Sequence, residues 1–167
     1  LKDPCAQLCD SIAEARAKEH VFPACAGGMM GKTYVWDHKI QYYETDQMQI
    51  AHHSNYIRWF EEARTAAMEE AGLGYEEMEA AGVISPVVSV TAKYHMMSRF
   101  PETLRIAVEI ADYNGARMQL RYRVTEKTSG ELRCTGESEH CYLDENHRLI
   151  SLKRHKPEIH AILEAMK

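Results

Sequence analysis

The chain has 167 residues, 45% of them hydrophobic and 27% charged, which is typical of one domain with a sizeable core. Its formal net charge of −5 does not suit a general nucleic-acid binder, which needs clustered excess lysine and arginine. We therefore expect no nucleic acid as a partner. Apolar runs stay shorter than the about 20 residues that cross a bilayer, so we expect no membrane partner either. The first residues also lack a signal-peptide pattern.

Residues 1–32 differ in character from the rest and form a predicted N-terminal extension, with one domain over residues 33–167. The run PACAGGMMGK, rich in glycine and small residues, is typical of a flexible joint. Met29 or Met30 stands where a shorter protein could start. The extension could be native, a non-native addition or an over-long start assignment, and we assign it no function.

The spacing of the five cysteines does not indicate a disulfide framework or a zinc site. Their number is odd, and the sequence contains no CxxC pair. A chain with a core of this size does not need disulfides, so we expect reduced thiols in a cytoplasmic protein. These cysteines are Cys5, Cys9, Cys25, Cys134 and Cys141.

The first predicted strand and the helix after it dominate the next 40 residues. TYVWDHKIQYY is rich in aromatic and β-branched residues, which favour a strand, and ETDQMQIAHH is a predicted loop. SNYIRWFEEARTAAMEEAG predicts a long helix, with Ser54 or Asn55 as N-cap and Gly72 at its end. Its apolar stripe at helical spacing consists of Ile57, Phe60, Ala63, Ala67, Met68 and Ala71.

Strand patterns fill the chain after a second short helix in YEEMEAAG. The predicted strands lie in VISPVVSVTAKYHMM, TLRIAVEIADY, RMQLRYRVTEK, LRCTGESEHCYLD and HRLISLK. Asn114 and Gly115 offer a hairpin turn, and Pro157 opens a terminal helix in PEIHAILEAMK. This order predicts an α+β fold, in which one antiparallel sheet curls around the long helix.

Asp46 lies a few residues before the long helix, where a carboxylate could meet the unpaired N–H groups of a helix start. Such groups suit an oxyanion or a thioester carbonyl oxygen, and a carboxylate opposite them could attack a carbonyl or activate water. Taken alone, an aspartate after a strand is more often a turn former. On a helix or a strand the adjacent His52 and His53 would point in different directions, and no suitably spaced carboxylate or cysteine accompanies them, so we expect no metal site.

Other residues of this region have ordinary structural interpretations. Glu61 fits the polar edge of the helix, where pairing with Arg64 or Arg58 would be routine. The tyrosines beside Asp46 and on the helix, together with Trp59, fit packing positions. The sequence also lacks the glycine-rich nucleotide loops and the GxSxG nucleophile motif.

Taken whole, YYETDQMQIAHHSNYIRWFEEAR resembles the signature of the 4-hydroxybenzoyl-CoA thioesterase class of hot-dog-fold proteins. The match extends over 23 positions, from Tyr42 to Arg64, and the resemblance covers residues 33 to 153. The matching residues are Tyr43, Asp46, His53, Asn55, Tyr56, Phe60, Glu61, Glu62 and Arg64. Two departures are the segment QMQIAH, where small glycine-like residues are common, and SRFPET at positions 98 to 103.

The resemblance implies a hot-dog fold and an acyl-CoA thioesterase. It implies Asp46 as the catalytic nucleophile or general base, with His53, or its backbone N–H, against the thioester carbonyl. The resemblance further implies Asn55, Tyr56 and Glu61 for substrate binding. Arg99 and Lys93, which lie outside the matching segment, are candidates for binding the phosphates of CoA. CoA enters as part of the substrate, without a further cofactor. A homodimer or a homotetramer made of two dimers is implied, with the substrate cleft at the dimer interface.

Three functional interpretations remain open at this point. The leading one is hydrolysis of an acyl- or aroyl-CoA to free acid and CoA. The second is a non-catalytic hot-dog module that binds acyl groups, because fold does not fix function. The third is a thioesterase that acts on acyl-carrier protein, which a basic patch beside the cleft would favour.

Overall fold

The computed structural model describes residues 32–167, which form five strands and four helices. The predicted extension therefore lies outside the described residues, apart from Lys32. The strands are β1 (Tyr34–Lys39), β2 (Val87–Tyr94), β3 (Thr103–Tyr113), β4 (Arg117–Glu126) and β5 (Leu132–Cys141). The helices are α1 (Ser54–Glu70), α2 (Tyr75–Ala80), α3 (Leu152–His155) and α4 (Pro157–Met166).

The strands form one antiparallel sheet in the order β1-β3-β4-β5-β2, so β1 and β2 are its edges. The long helix α1 packs on one face, where the ring of Phe60 stacks on Tyr122 of β4 at 4.3 Å between centroids. This arrangement confirms the predicted hot-dog fold. It also confirms that the described residues after β1 contain a long helix followed by four consecutive strands.

Alternation along the two central strands was predicted correctly. Leu104, Ile106, Val108 and Ile110 of β3 are buried, and Met118, Leu120, Tyr122 and Val124 of β4 are buried beside them. The positions between these residues face the other side of the sheet, which α1 leaves uncovered, and several carry charges. There the Asp37 carboxylate binds Arg105 at 3.0 Å and Lys127 at 3.0 Å. The sheet therefore has one apolar face for the helix and one polar face.

Three local predictions were wrong. HRLISLK does not form a strand, because Leu149 makes only an isolated bridge to Leu143 and the chain then turns into α3. Ile57 is 38% exposed, since the buried stripe of α1 is rotated toward Tyr56, Trp59 and Phe60. The N-cap is His53 rather than Ser54 or Asn55, because the helix already begins at Ser54.

The end of α1 was predicted correctly. The expected ion pair between Glu61 and Arg64 or Arg58 is absent from the described part of the chain. Gly72 follows the C-cap residue with φ of 75°, a left-handed conformation that favours glycine. Arg64 is buried and donates to the hydroxyl of Tyr75 on α2, so it does not pair with Glu61. Arg64 thus links α1 to α2 instead of lying on the polar edge of α1.

Two further observations concern the cysteines and the helices of the described residues. Cys134 and Cys141 are free and buried, while the other three cysteines fall outside the described residues. Over residues 32–167, no helix combines the length and apolar character that crossing a membrane requires.

Candidate active site

Asp46 lies in a tight turn between β1 and α1. The turn is closed by a bridge from Thr45 to Ala51, and the Asp46 N–H donates to the Ile50 carbonyl at 2.9 Å. Gln49 has φ of 61°, a left-handed conformation that costs a side-chain-bearing residue free energy. The backbone here thus adopts the conformation that favours glycine, although Gln49 occupies the position.

The Asp46 carboxylate is half-buried and has one oxygen fixed. Its Oδ1 accepts a hydrogen bond from the Met48 N–H at 2.8 Å, which holds the side chain in an Asx turn. Its Oδ2 has no partner among residues 32–167. A carboxylate with a fixed orientation and a free oxygen can accept a proton from water or attack a carbonyl carbon.

Glu44, two residues earlier, is a buried anchor that sequence reasoning missed. Its carboxylate accepts hydrogen bonds from His38 Nε2 at 2.9 Å, from the Gln41 N–H at 2.7 Å and from Trp59 Nε1 at 3.0 Å. Burial alone would raise the pKa of the Glu44 carboxyl, but these donors outweigh burial and lower it. The 3-10 turn of Tyr42–Glu44 is thereby fixed against β1 and α1.

The backbone of Glu44 also sets the direction in which α1 begins. Its carbonyl accepts both the His52 N–H at 2.8 Å and the Asn55 side-chain amide at 2.7 Å. The His52 Nδ1 lies 2.8 Å from the Ser54 hydroxyl and accepts the Ser54 N–H over 3.4 Å. In the described chain the His53 N–H has no acceptor. The helix start therefore keeps a free donor beside a fixed carboxylate.

The predicted residues His53, Asn55 and Tyr56 occupy three different environments. His53 is exposed, and its carbonyl accepts the hydroxyl of Tyr94 at 3.0 Å. Asn55 is buried, and its side-chain amide donates to the Glu44 carbonyl. Tyr56 is 3% exposed and donates to the Ser98 hydroxyl at 2.9 Å, and burial raises its pKa to about 12.

Ser98 belongs to a second support of the Asp46 turn. Its carbonyl accepts the Ala51 N–H at 2.8 Å, directly at the end of that turn. The preceding carbonyl, of Met97, accepts Arg133 at 2.6 Å, and Arg133 also pairs with Glu102 at 3.3 Å. The segment around Ser98 thus ties the turn to β5. Sequence spacing could not indicate this contact, because it joins residues far apart in the chain.

The three remaining predicted residues are exposed and are not among the residues that line the depression at Asp46. Glu61 lies on the solvent side of α1, Lys93 on the edge strand β2, and Arg99 in the segment before β3. The Arg99 backbone is fixed by Glu102, whose carboxylate accepts the Arg99 N–H at 3.1 Å. Their role toward a substrate stays a prediction.

An open depression joins the Asp46 turn with the start of α1. Its lining combines a carboxylate, hydroxyl groups, an imidazole and two exposed aromatic rings, contributed by Tyr42, Tyr43, Glu44, Thr45, Asp46, Gln47, His52, Ser54 and Asn55. Of the two predicted catalytic residues, Asp46 contributes to this lining, whereas the His53 ring packs toward Tyr94 at 6.4 Å between centroids. The arrangement suits attack on a carbonyl whose oxygen is held at the helix start.

Comparisons with known proteins place these features in a family context. The sequence matches the family model of the thioesterase-like superfamily over residues 40–164. It is 35% identical over 130 residues to YneP of Bacillus subtilis (strain 168), which is named for a proposed acyl-CoA thioesterase activity. That alignment covers 77% of this chain and 94% of YneP.

Two solved structures are similar in both fold and sequence. The DHNA-CoA thioesterase from Staphylococcus aureus has a TM-score of 0.75 at 30% identity, over 79% of this chain and 89% of that protein. The hypothetical protein TT1821 from Thermus thermophilus has a TM-score of 0.74 at 31% identity, over 80% of this chain and 99% of that protein.

Proposed function

The chain belongs to the thioesterase-like superfamily and is a thioester hydrolase, and on this premise we propose that Asp46 drives hydrolysis of an acyl- or aroyl-CoA. The products are the free acid and CoA. The observation that carries the proposal is the Asp46 carboxylate, fixed through Oδ1 by the Met48 N–H and lining the same depression as the start of α1.

Two routes use this carboxylate. As general base, Asp46 takes a proton from water, whose oxygen attacks the thioester carbonyl carbon; the C–S bond then breaks, and the leaving thiolate takes the proton from Asp46. As nucleophile, the carboxylate oxygen attacks the same carbon, the thiolate leaves with the electrons of the C–S bond, and water then hydrolyses the mixed anhydride. In both routes the thiolate takes up a proton, and the His53 N–H stabilises the negative charge that develops on the carbonyl oxygen.

The relatives and the lining of the depression support a proposal for the substrate class. The Staphylococcus aureus structure is of a DHNA-CoA thioesterase, and we propose a related preference for aroyl or other bulky acyl groups, in line with the 4-hydroxybenzoyl-CoA class. The rings of Tyr42 and Tyr43 are 78% and 82% exposed beside Asp46 and offer apolar contact area.

The predicted binding residues divide into three roles. Asn55 and Tyr56 shape the helix start from within, through their contacts with Glu44 and Ser98. Arg99 and Lys93 are exposed cations that we propose for the phosphates of CoA, and Glu61 is proposed for the polar edge of the cleft. CoA is part of the substrate, and no further cofactor takes part in either route.

We further propose a homodimer that forms through β2, with two dimers able to pair. Within the described residues, β5 is the one strand that pairs with β2, and Val87, Val88 and Val90 of β2 are 53%, 51% and 36% exposed. An exposed apolar edge strand is a template for pairing with another chain. We propose a cytoplasmic location, which the free thiols of Cys134 and Cys141 support.

Replacing Asp46 tests the proposal. Asp46→Asn keeps the size and the Asx turn but removes the base and nucleophile, so we expect kcat on the best acyl-CoA of a panel to fall by about 100-fold or more. Thiol release is the measurement. Glu69→Gln, which removes an exposed carboxylate on α1 outside the signature, is the matched control and should retain full turnover.

The other interpretations predict different results in the same assay. Unchanged turnover of Asp46→Asn would remove Asp46 from the mechanism. A wild-type protein that binds acyl-CoA by calorimetry but hydrolyses neither CoA nor carrier-protein thioesters would be a binding module. Turnover confined to acyl-carrier-protein thioesters would change the carrier while keeping the chemistry.

A further inference from the structure

Tyr94, the last residue of β2, reaches across to the start of α1. Its hydroxyl donates a hydrogen bond to the His53 carbonyl at 3.0 Å, although the two residues are 41 positions apart. We propose that Tyr94 is a positioning residue for thioester hydrolysis, holding the first peptide of α1 so that the His53 N–H faces the substrate oxygen. This inference rests on the proposed function.

Three consecutive peptide groups lead from Ala51 into α1. The first, between Ala51 and His52, is fixed because its N–H donates to the Glu44 carbonyl at 2.8 Å. The third, between His53 and Ser54, is fixed because its carbonyl accepts Tyr94 at 3.0 Å. The middle peptide carries the free His53 N–H. Its own carbonyl, of His52, accepts the Asn55 N–H at 3.0 Å, so this peptide is held directly as well as between two fixed neighbours.

The Tyr94 phenol is itself held in place while remaining accessible. Its ring meets the Tyr56 ring edge to face at 5.2 Å between centroids, and its backbone pairs with Cys134 of β5. The residue is nevertheless 46% exposed, so it does not act as a core filler. Burial of the phenol raises the pKa of Tyr94, so the hydroxyl stays protonated and able to donate at neutral pH.

The bond also explains why a residue outside the signature matters to the site. Tyr94 comes from the edge strand, whereas Glu44 approaches the helix start from the β1 side. The free donor lies between these two supports. Preorganised donors stabilise an oxyanion because they need no reorientation when charge develops. Loosening one support should therefore slow the chemical step more than it weakens substrate binding.

Removing the single hydroxyl tests this directly. For Tyr94→Phe we expect kcat on the best acyl-CoA to fall about 10-fold, with KM within about 2-fold of wild type. Hydrogen exchange of the first-turn amides of α1 should become faster. Tyr113→Phe is the matched control, because it removes a hydroxyl with one 2.9 Å contact, to His160 on α4. Its kcat and its first-turn exchange should stay at the wild-type level.

A change in the donor strength of the phenol provides a second measurement. Replacing Tyr94 by 3,5-difluorotyrosine lowers the phenol pKa, and the phenolate cannot donate to a carbonyl. The alkaline limb of the kcat profile should therefore move to lower pH. The titratable groups facing this phenol are Cys134 on β5, Tyr56 on α1 and His53 at the helix start, and they are unchanged in the variant.

The outcomes separate this inference from the function on which it rests. Wild-type kcat in Tyr94→Phe, or a higher KM with unchanged kcat, would overturn the positioning role while hydrolysis stands. An alkaline limb that does not move in the fluorinated protein would also overturn it. A wild-type protein without activity on any acyl-CoA, assayed alongside, would overturn the proposed function and the positioning role together.

Discussion

His140 of β5 is a buried titratable group that the proposed chemistry does not use. It is 1% exposed, and its Nε2 lies 2.8 Å from the Ser138 hydroxyl, which in turn lies 2.9 Å from the hydroxyl of Tyr122. Its Nδ1 has no partner among the described residues. Burial, with the nearby positive charge of Arg64, lowers the pKa of His140 to about 4. The imidazole is therefore neutral in the folded protein at neutral pH.

The lowered pKa of His140 predicts that the folded protein loses stability in acid. In the unfolded chain the pKa of His140 returns to about 6.5, so between pH 6.5 and 4 the unfolded state binds a proton that the folded state does not. The free energy of unfolding should thus fall as pH drops through this window, by roughly 3 kcal/mol in total. Urea unfolding at a series of pH values measures it. His140→Leu should flatten the dependence, whereas the exposed His155→Leu should keep it; equal slopes in both variants would contradict the assignment.

At the scale of single residues, the sequence pointed to the proposed reactive group but not to the contacts that hold it. Asp46 was identifiable because its spacing to His53 and Asn55 belongs to a continuous segment. Glu44 and Tyr94 were not, since their importance comes from contacts with Trp59 of α1 and with the His53 carbonyl. Hydrogen bonds between distant parts of the chain leave no periodic pattern. Their partners become known only when the sheet and the helix are assembled.

At the scale of elements, the packing of α1 on the sheet depends on a close approach at Gly136 of β5. A Cβ added there would lie 2.3 Å from Phe60 Cε2 and 2.8 Å from the Thr91 carbonyl oxygen. The Phe60 ring is 2% exposed and stacked on Tyr122 with 15° between planes, so it has little room to move. Gly136 is therefore required by the contact between the helix and the sheet.

Gly136→Ala should accordingly destabilise the fold. We expect a loss of about 1–3 kcal/mol in the free energy of unfolding, because a well-packed interface must shift to admit the methyl group. Gly74→Ala is the contrast, since its nearest contact is the flexible Glu77 carboxylate at 2.7 Å, and its loss should stay under about 1 kcal/mol. Urea unfolding measures both variants. Equal losses would show that the contact with Phe60 is not the cause.

Element types were predictable where one face of a segment is buried along its whole length. β3 and β4 alternate because α1 covers a single face of the sheet, and the alternation is visible in the sequence. HRLISLK alternates as well, yet Leu149 is 64% exposed and pairs only through a bridge. Its path is instead set by contacts such as the Leu152 N–H to the Gly115 carbonyl at 2.7 Å, which periodicity does not encode.

At the scale of the whole molecule, the two edge strands of the sheet differ in the apolar residues that they expose. Both carry an exposed valine, Val35 on β1 at 55% and Val88 on β2 at 51%. Only β2 adds a run of further exposed apolar residues, with Val87 and Val90, and only β2 carries the tyrosine that holds the helix start. Pairing of β2 with a second copy would therefore bring each Tyr94 close to the dimer interface. Assembly and catalysis should then depend on the same strand.

A charge placed on each edge distinguishes the two possible interfaces. Val88→Lys should give a monomer by size exclusion with light scattering, because an edge lysine opposes strand pairing. Its kcat should fall about 10-fold, as expected for Tyr94→Phe, and should recover in part as protein concentration rises and dimers reform. Val35→Lys introduces the same charge at a similarly exposed valine and should remain a dimer with wild-type turnover. Dissociation of Val35→Lys instead would place the interface on β1, and a fully active Val88→Lys monomer would separate assembly from catalysis.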